Sequence, residues 1–330
     1  RLTLLPVRRF LPDEWITVTL STGIRTTAGG KFPGSVFSFR AASAAPTAQR
    51  LPGDVFPAGG TVTGSRLADL DLDGKLDLVY SLSADRKIRV ARGLGTGRFE
   101  AALELDAGQT VTALSMADLN DDGRIDVLAG TVDRAVAWRG HGPGIAFEDP
   151  DILPTGVAVR GFAVGHLDRH GPADVLLDTD KGIRIYIDGL LGAPALVLGE
   201  TRIATTELIL SDLDLDGLPD LLYGDSTGRR LTFLRGGGPS LLLPAETIAL
   251  DGEASWIAVE DLDHEGQPEI MALWASATDT GLGILPVPDG SSGGAMTRLE
   301  PLAPSARRTY TLADLTGDGP ADLVAADPEA

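Results

Sequence analysis

Six short stretches of this sequence carry oxygen-bearing side chains at one fixed spacing. Each is nine residues long, with acidic or polar residues at positions 1, 3, 5 and 9 and glycine at position 6. The first supplies Asp69, Asp71, Asp73 and Asp77, and the second Asp118, Asn120, Asp122 and Asp126. The fourth supplies Asp212, Asp214, Asp216 and Asp220, and the fifth Asp261, Asp263, Glu265 and Glu269. The sixth supplies Asp314, Thr316, Asp318 and Asp322. Oxygens at positions 1, 3 and 5 of a tight loop can converge on one point, and glycine permits the sharp turn. Position 7 (Lys75, Arg124, Leu218, Gln267 or Pro320) can add its carbonyl, and the carboxylate at 9 can close the shell. A hard cation such as Ca2+ takes six to eight such oxygens at about 2.3–2.6 Å.

Twenty of the 47 acidic residues fall at these positions. Without a cation, so many neighbouring carboxylates would repel one another, so about five Ca2+ sites are expected. The third stretch departs from the others, with His166 and His170 at positions 1 and 5 beside Asp168 and Asp174. Imidazole suits Zn2+, Cu2+ or Ni2+ better than calcium. This loop is read as a transition-metal site, a degenerate empty loop or a weak calcium site.

An EF-hand also begins with alternating aspartates and a glycine, but it needs a bidentate Glu at position 12 and a helix on each side. Position 12 here is Tyr80, Ala129, Leu177, Tyr223, Ala272 or Ala325, which excludes it.

The loops start 49, 48, 46, 49 and 53 residues apart, so the elements that position them form a repeat. Alternating runs such as residues 110–114 and 309–312 precede a loop. Short apolar runs follow it, at 76–80, 125–128, 175–177, 221–223, 270–273 and 323–325. These are too short and too β-branched for amphipathic helices and read as strands. A further strand is expected at 87–91, 135–138, 182–187 and 230–234, then a Gly-rich turn and a fourth strand. Four strands in about 45–50 residues, repeated, specify a β-propeller of four-stranded blades in an all-β chain.

Composition sets the outer bounds. With 28 basic and 47 acidic residues the net charge is −19, which excludes a general nucleic-acid or anionic-membrane surface. No apolar run reaches membrane-spanning length. The absence of cysteine excludes disulfides, thiol catalysis and zinc–thiolate sites.

The loops, together with Gly-rich turns such as Gly95-Thr96-Gly97-Arg98-Phe99, resemble the FG-GAP and VCBS-type repeats of calcium-binding β-propellers, of which the integrin α-subunit head is the best-known relative. The resemblance covers residues 44–330, although the FG and GAP tags themselves are largely absent. It implies an extracellular, calcium-stabilised propeller used for adhesion and ligand recognition, with side chains at 1, 3, 5 and 9 and the carbonyl at 7 as ligands.

Residues 1–43 lie outside the repeat. Alternation at 15–20 and 36–39 around an Ala28-Gly29-Gly30 turn resembles the last strands of a bacterial Ig-like domain, with 41–46 as a linker. At the other end, 322–326 reads as the second strand of a sixth blade. Residues 47–57 are a candidate outer strand for the last blade, and the full ring is expected to have six or seven blades, completed by further sequence.

No G-x-S-x-G elbow or H-E-x-x-H motif occurs, and no catalytic residue is assigned. His141 reads as an exposed turn residue, and Trp138, Trp256 and Trp274 as blade packing. The expectation is a non-catalytic, extracellular or cell-surface module. It would bind a protein or glycan ligand on the propeller surface, joined to flanking domains of the same polypeptide. A lectin, a surface-layer or filament subunit and a polysaccharide-acting enzyme domain are the alternatives.

Overall fold

A computed structural model describes residues 15–20, 35–40 and 56–287, apart from 169, 191–192, 205, 226–227, 239–240, 263–265 and 277–279; it also describes 297–298, 309–313 and 322–326. Every regular element in these residues is a strand. An N-terminal hairpin pairs β1 (Trp15–Leu20) with β2 (Ser35–Arg40), Trp15 opposite Arg40, as the alternation predicts. The rest of the segment expected to be Ig-like, and residues 47–55, lie outside the described residues.

Among the described residues, five four-stranded antiparallel sheets follow. The first is β3 (Val62–Ala68), β4 (Asp77–Leu82), β5 (Lys87–Gly93) and β6 (Phe99–Asp106). The second is β7 (Ala113–Ala117), β8 (Asp126–Gly130), β9 (Arg134–Trp138) and β10 (Asp151–Pro154). The third is β11 (Val159–Gly165), β12 (Asp174–Thr179), β13 (Gly182–Tyr186) and β14 (Leu196–Leu198). The fourth runs β15 (Ile209–Ser211), β16 (Asp220–Gly224), β17 (Arg230–Leu234), then skips a small hairpin of β18 (Gly236–Gly238) and β19 (Leu241–Leu242) to reach β20 (Glu246–Ala249). The fifth is β21 (Glu253–Glu260), β22 (Glu269–Ala275), β23 (Thr280–Pro286) and β24 (Thr297–Arg298). A sixth sheet is described through its first pair, β25 (Thr309–Ala313) and β26 (Asp322–Ala326).

Each sheet packs face to face on the next, and the packing explains the apolar runs. Val79, Ile88 and Val90 of the first sheet meet Leu114, Val127 and Trp138 of the second. Leu128 and Leu153 meet Val159, Val175 and Leu177. On the opposite face of β12, Leu176 joins Ile183 and Ile185 against Leu221 and Tyr223. The second strand of a blade is therefore buried on both faces, so it reads as a continuous apolar run instead of an alternation. All six residues of β12 are buried, as are all five of β8 and of β16. Fully burying a Leu or Val is worth roughly 1.5–3 kcal/mol, so these layers hold the blades together without a helix.

The first strands of consecutive blades lie against one another, β3 on β7, β7 on β11 and β11 on β15. Arg66 on β3 reaches Glu207, just before β15, at 3.0 Å. The strand expected at 110–114 begins only at Ala113, and the Val111 amide goes instead to the carbonyl of Asp85 between β4 and β5. Trp138 and Trp274 are buried in the blade packing, 3% and 0% exposed. His141 is exposed in its turn.

Candidate metal loops

Every nine-residue loop joins the first strand of a blade to the second, and position 9 is the first residue of that second strand. The repeat therefore sets the described loops at the same end of their blades. Loops one, two and four are fully described, loop three lacks only residue 169, and loop five lacks Asp263 and Glu265. In loop six, Asp314, Thr316, Asp318 and Pro320 lie outside the described residues and Asp322 begins β26.

The loop conformation is written by its own carboxylates. In loop one Asp69 accepts the amides of Asp73 (3.0 Å) and Gly74 (3.0 Å), Asp71 accepts that of Asp73 (3.2 Å), and Asp73 accepts that of Lys75 (2.9 Å). Loop two repeats this: Asp118 accepts from Asp122 and Gly123, Asn120 from Asp122, and Asp122 from Arg124. In loop four Asp212 accepts from Gly217, Asp214 from Asp216, and Asp216 from Leu218. In loop five Asp261 accepts from Gly266 (2.9 Å). These nested side-chain turns are what Asp and Asn do best in tight loops. The position-6 glycines take the left-handed conformation that the sequence predicts, with φ of 87° at Gly74, 84° at Gly123 and 83° at Gly217. Position 4 is left-handed too, at Leu72, Asp121 and Leu215, which residue types alone did not announce.

Position 9 does more than close a ligand shell. Oδ2 of Asp77 accepts the Leu70 amide at 2.9 Å and Oδ1 the Gly93 amide at 2.8 Å. Asp126 holds Leu119 and Gly140, Asp174 holds Leu167 and Asp188, and Asp220 holds Leu213 and Gly236. Glu269 accepts from Leu262 at 2.8 Å. Each of the four aspartates thus ties its loop to the exit of the neighbouring strand. Burial pushes the carboxyls of Asp126, Asp174 and Asp220 up to about 6 against the pull of these amides, and the neighbouring loop carboxylates add to the rise.

Among the described residues, two groups of carboxylates come within mutual ligand distance. Asp69, Asp71 and Asp77 can each bring one oxygen within 4.8 Å of the others, and so can Asp212, Asp214 and Asp216. Oδ1 of Asp212 is buried with no hydrogen-bond partner, and so is Oδ1 of Asp261 at the same position of loop five. A buried carboxylate oxygen left without a donor is costly unless a cation meets it. Burial raises the Asp212 carboxyl, with Asp216 and Asp214 contributing. The residues therefore fit a hard cation. In loop one the charge is offset internally: Lys75 pairs with Asp73 (2.9 Å), while Arg92 lies 2.7 Å from Asp71 and 3.2 Å from Asp73. Arg235 lies 2.8 Å from Asp214 in loop four. Sequence reading missed these arginines, although the Arg-Gly pair recurs at 92–93, 139–140 and 235–236.

Loop three is arranged differently. Nε2 of His166 faces Asp121 of loop two at 3.3 Å, and Nδ1 of His170 contacts the carbonyl of its own neighbour Asp168 at 2.6 Å. The two imidazoles thus turn to different partners, His166 towards loop two and His170 back onto its own loop, while Asp174 accepts the amides of Leu167 and Asp188.

Comparison with known proteins bears on the fold. No curated protein matches the chain. Two solved structures of BBS1N in complex with ARL6DN, one soaked with mercury and one with lead, resemble it. The first is 13% identical with a TM-score of 0.51, covering 73% of this chain and 70% of that one. The second is 14% identical with a TM-score of 0.51, covering 75% and 73%. The FG-GAP-like repeat family model matches residues 69–129, from the first aspartate of loop one into the second strand of blade two. Residues 69–129 thus carry an FG-GAP-like repeat within a fold of β-propeller type.

Proposed function

We propose that this chain is a non-catalytic interaction module whose blades are braced by Ca2+. The buried oxygens of Asp212 and Asp261, which have no donor, carry this reading. In loop four, Asp212, Asp214, Asp216 and Asp220 with the carbonyl of Leu218 would hold the ion, and the corresponding residues would do so in loops one, two, five and six. The ion supplies positive charge where carboxylates crowd, and the chain's own part is to fold each loop around its carboxylates. The FG-GAP-like match and the partner-bound state of the BBS1N structures support an interaction role. The calcium demand of such loops suits the millimolar levels outside cells, and we place the chain there. A protein or glycan ligand would bind the propeller surface beside flanking domains of the same polypeptide.

If calcium stands at ten times a site's Kd, each filled site adds about 1.4 kcal/mol. Several sites then rival a domain's net stability. The test is a thermal melt of the chain in calcium, in EDTA, and in EDTA with zinc added back. A fall of ten degrees or more in EDTA, reversed by calcium, supports the reading. Identical melts in calcium and EDTA overturn it, and rescue by zinc alone transfers the role to His166 and His170.

A further inference from the structure

Blades one, two and four form an internal experiment. Each carries an Arg-Gly pair at the end of its third strand or directly after it, and what the arginine does follows position 3 of its loop. Where position 3 is Asp71, Arg92 places Nη2 2.7 Å from its carboxylate. Where it is Asp214, Arg235 places Nε 2.8 Å away. Where it is the neutral Asn120, Arg139 turns aside and pairs with Asp151 on β10 at 3.0 Å.

We propose that Arg92 and Arg235 are built-in counter-ions that hold loops one and four closed without a metal and compete with calcium for the position-3 carboxylate. This rests on the reading that the loops take calcium. The Asp71 side chain is 2% exposed and the Arg92 side chain 44%, so the pair sets a half-exposed cation over a buried anion. Guanidinium cannot shed its charge, so a divalent ion entering the loop meets it as a like charge and must displace it. Arg92 can swing into solvent. Arg235 is held more firmly, by Glu246 and by the face of Phe233 5.5 Å from its guanidinium carbon. Loop four therefore gives up its arginine less readily than loop one, while loop two has no such competitor.

The experiment titrates calcium into the full chain against a chromophoric chelator, for wild type, Arg92→Gln, Arg235→Gln and Arg139→Gln, with melts in EDTA. In each of the first two variants one macroscopic binding constant tightens by about three- to tenfold, the scale of removing one charge a few ångströms from a cation near the surface. The shift is larger for Arg235→Gln, the EDTA melt falls by several degrees in both, and Arg139→Gln leaves every constant in place. Chelator competition starts from the calcium-loaded protein, so a variant that unfolds without calcium is still measured. Constants that stay put or weaken in Arg92→Gln and Arg235→Gln overturn the inference alone. A wild type that binds no calcium overturns both it and the functional reading.

Discussion

The amide of Gly93 donates a 2.8 Å hydrogen bond to Oδ1 of Asp77, joining the end of the third strand to the start of the second. The same bond links Gly140 to Asp126 and Gly236 to Asp220, each at 2.8 Å. Glycine is required by space. A Cβ on Gly93 would lie 1.9 Å from the carbonyl oxygen of Leu76, and on Gly140 2.7 Å from that of Ile125. The acid at position 9 and the glycine some fifteen residues later are thus one device, which anchors the loop whether or not a cation fills it.

Gly93→Ala tests that device. The new methyl meets backbone, which cannot rotate away, so the loop must separate from β5 and the Asp77 bond lengthens. The expected cost is roughly 2–4 kcal/mol, the range for overpacking combined with a lost buried bond. Urea unfolding measures it; a cost under about 0.5 kcal/mol means the strand exit yields freely and the bond anchors nothing.

Two aspartates of loop four separate anchoring from cation binding. Asp220 accepts the amides of Leu213, Asp214 and Gly236, so Asp220→Ala strands buried donors and costs roughly 2–4 kcal/mol even in EDTA, with the site's calcium share lost on top of that in calcium. Asp212→Asn keeps an acceptor for Gly217 but removes charge where an oxygen has no donor. It should erase one site's share of calcium stabilisation, about 1–2 kcal/mol, and leave the EDTA melt unchanged or raised. Paired melts decide it: equal losses for Asp212→Asn in calcium and EDTA assign Asp212 to the loop's folding alone.

The blade repeat was legible because it is written locally. Second strands buried on both faces appear as unbroken runs such as Val175-Leu176-Leu177, and the loop between strands one and two announces itself by its aspartates. The double role of position 9 was not legible, since an aspartate that accepts amides and one that grips a cation are the same letter. Nor was the arginine pairing, because Arg92 meets Asp73 across 19 residues and Arg235 meets Asp214 across 21, a link the register of strands two and three creates. His166 and His170 share a loop in sequence, yet their rings turn to different partners.

Asp178 should give the chain a pH-dependent stability of its own. It is buried on β12 at the far end from the loops, with Oδ1 lacking a partner and Arg202 3.6 Å from Oδ2. Burial pushes its carboxyl up to about 6, with Arg202 opposing and Asp180 adding. The folded value lies above the unfolded one, so its contribution is fully present below about pH 4 and is lost as pH rises through about 6. At one pKa unit per about 1.4 kcal/mol, the swing is roughly 2–3 kcal/mol. Asp178→Asn should therefore stabilise the chain at pH 8, where the charged form is costly, and do little at pH 4. Chemical denaturation across that range measures it; a variant less stable than wild type at pH 8 shows that the Arg202 pair outweighs the burial.

Position 4 of the loops offers the opposite test, a gain. Leu72 and Leu215 sit at φ of 61° and 62°, a conformation that costs an L-residue with a bulky side chain about 1–2 kcal/mol. Both are exposed, 42% and 55%, so burial returns little of that cost. Loop two adopts the same turn at Asp121, φ 58°, with a residue type that tolerates it. Asn is the better replacement here, since glycine would relieve the strain but widen the unfolded ensemble, and a further aspartate would add charge to a crowded loop. Leu72→Asn should raise stability by about 0.5–1 kcal/mol in EDTA, and Leu215→Asn likewise, additively because they lie in different blades. Denaturant titrations of the single and double variants check this. A loss of stability would mean that the leucines make contacts in solution that offset their backbone strain.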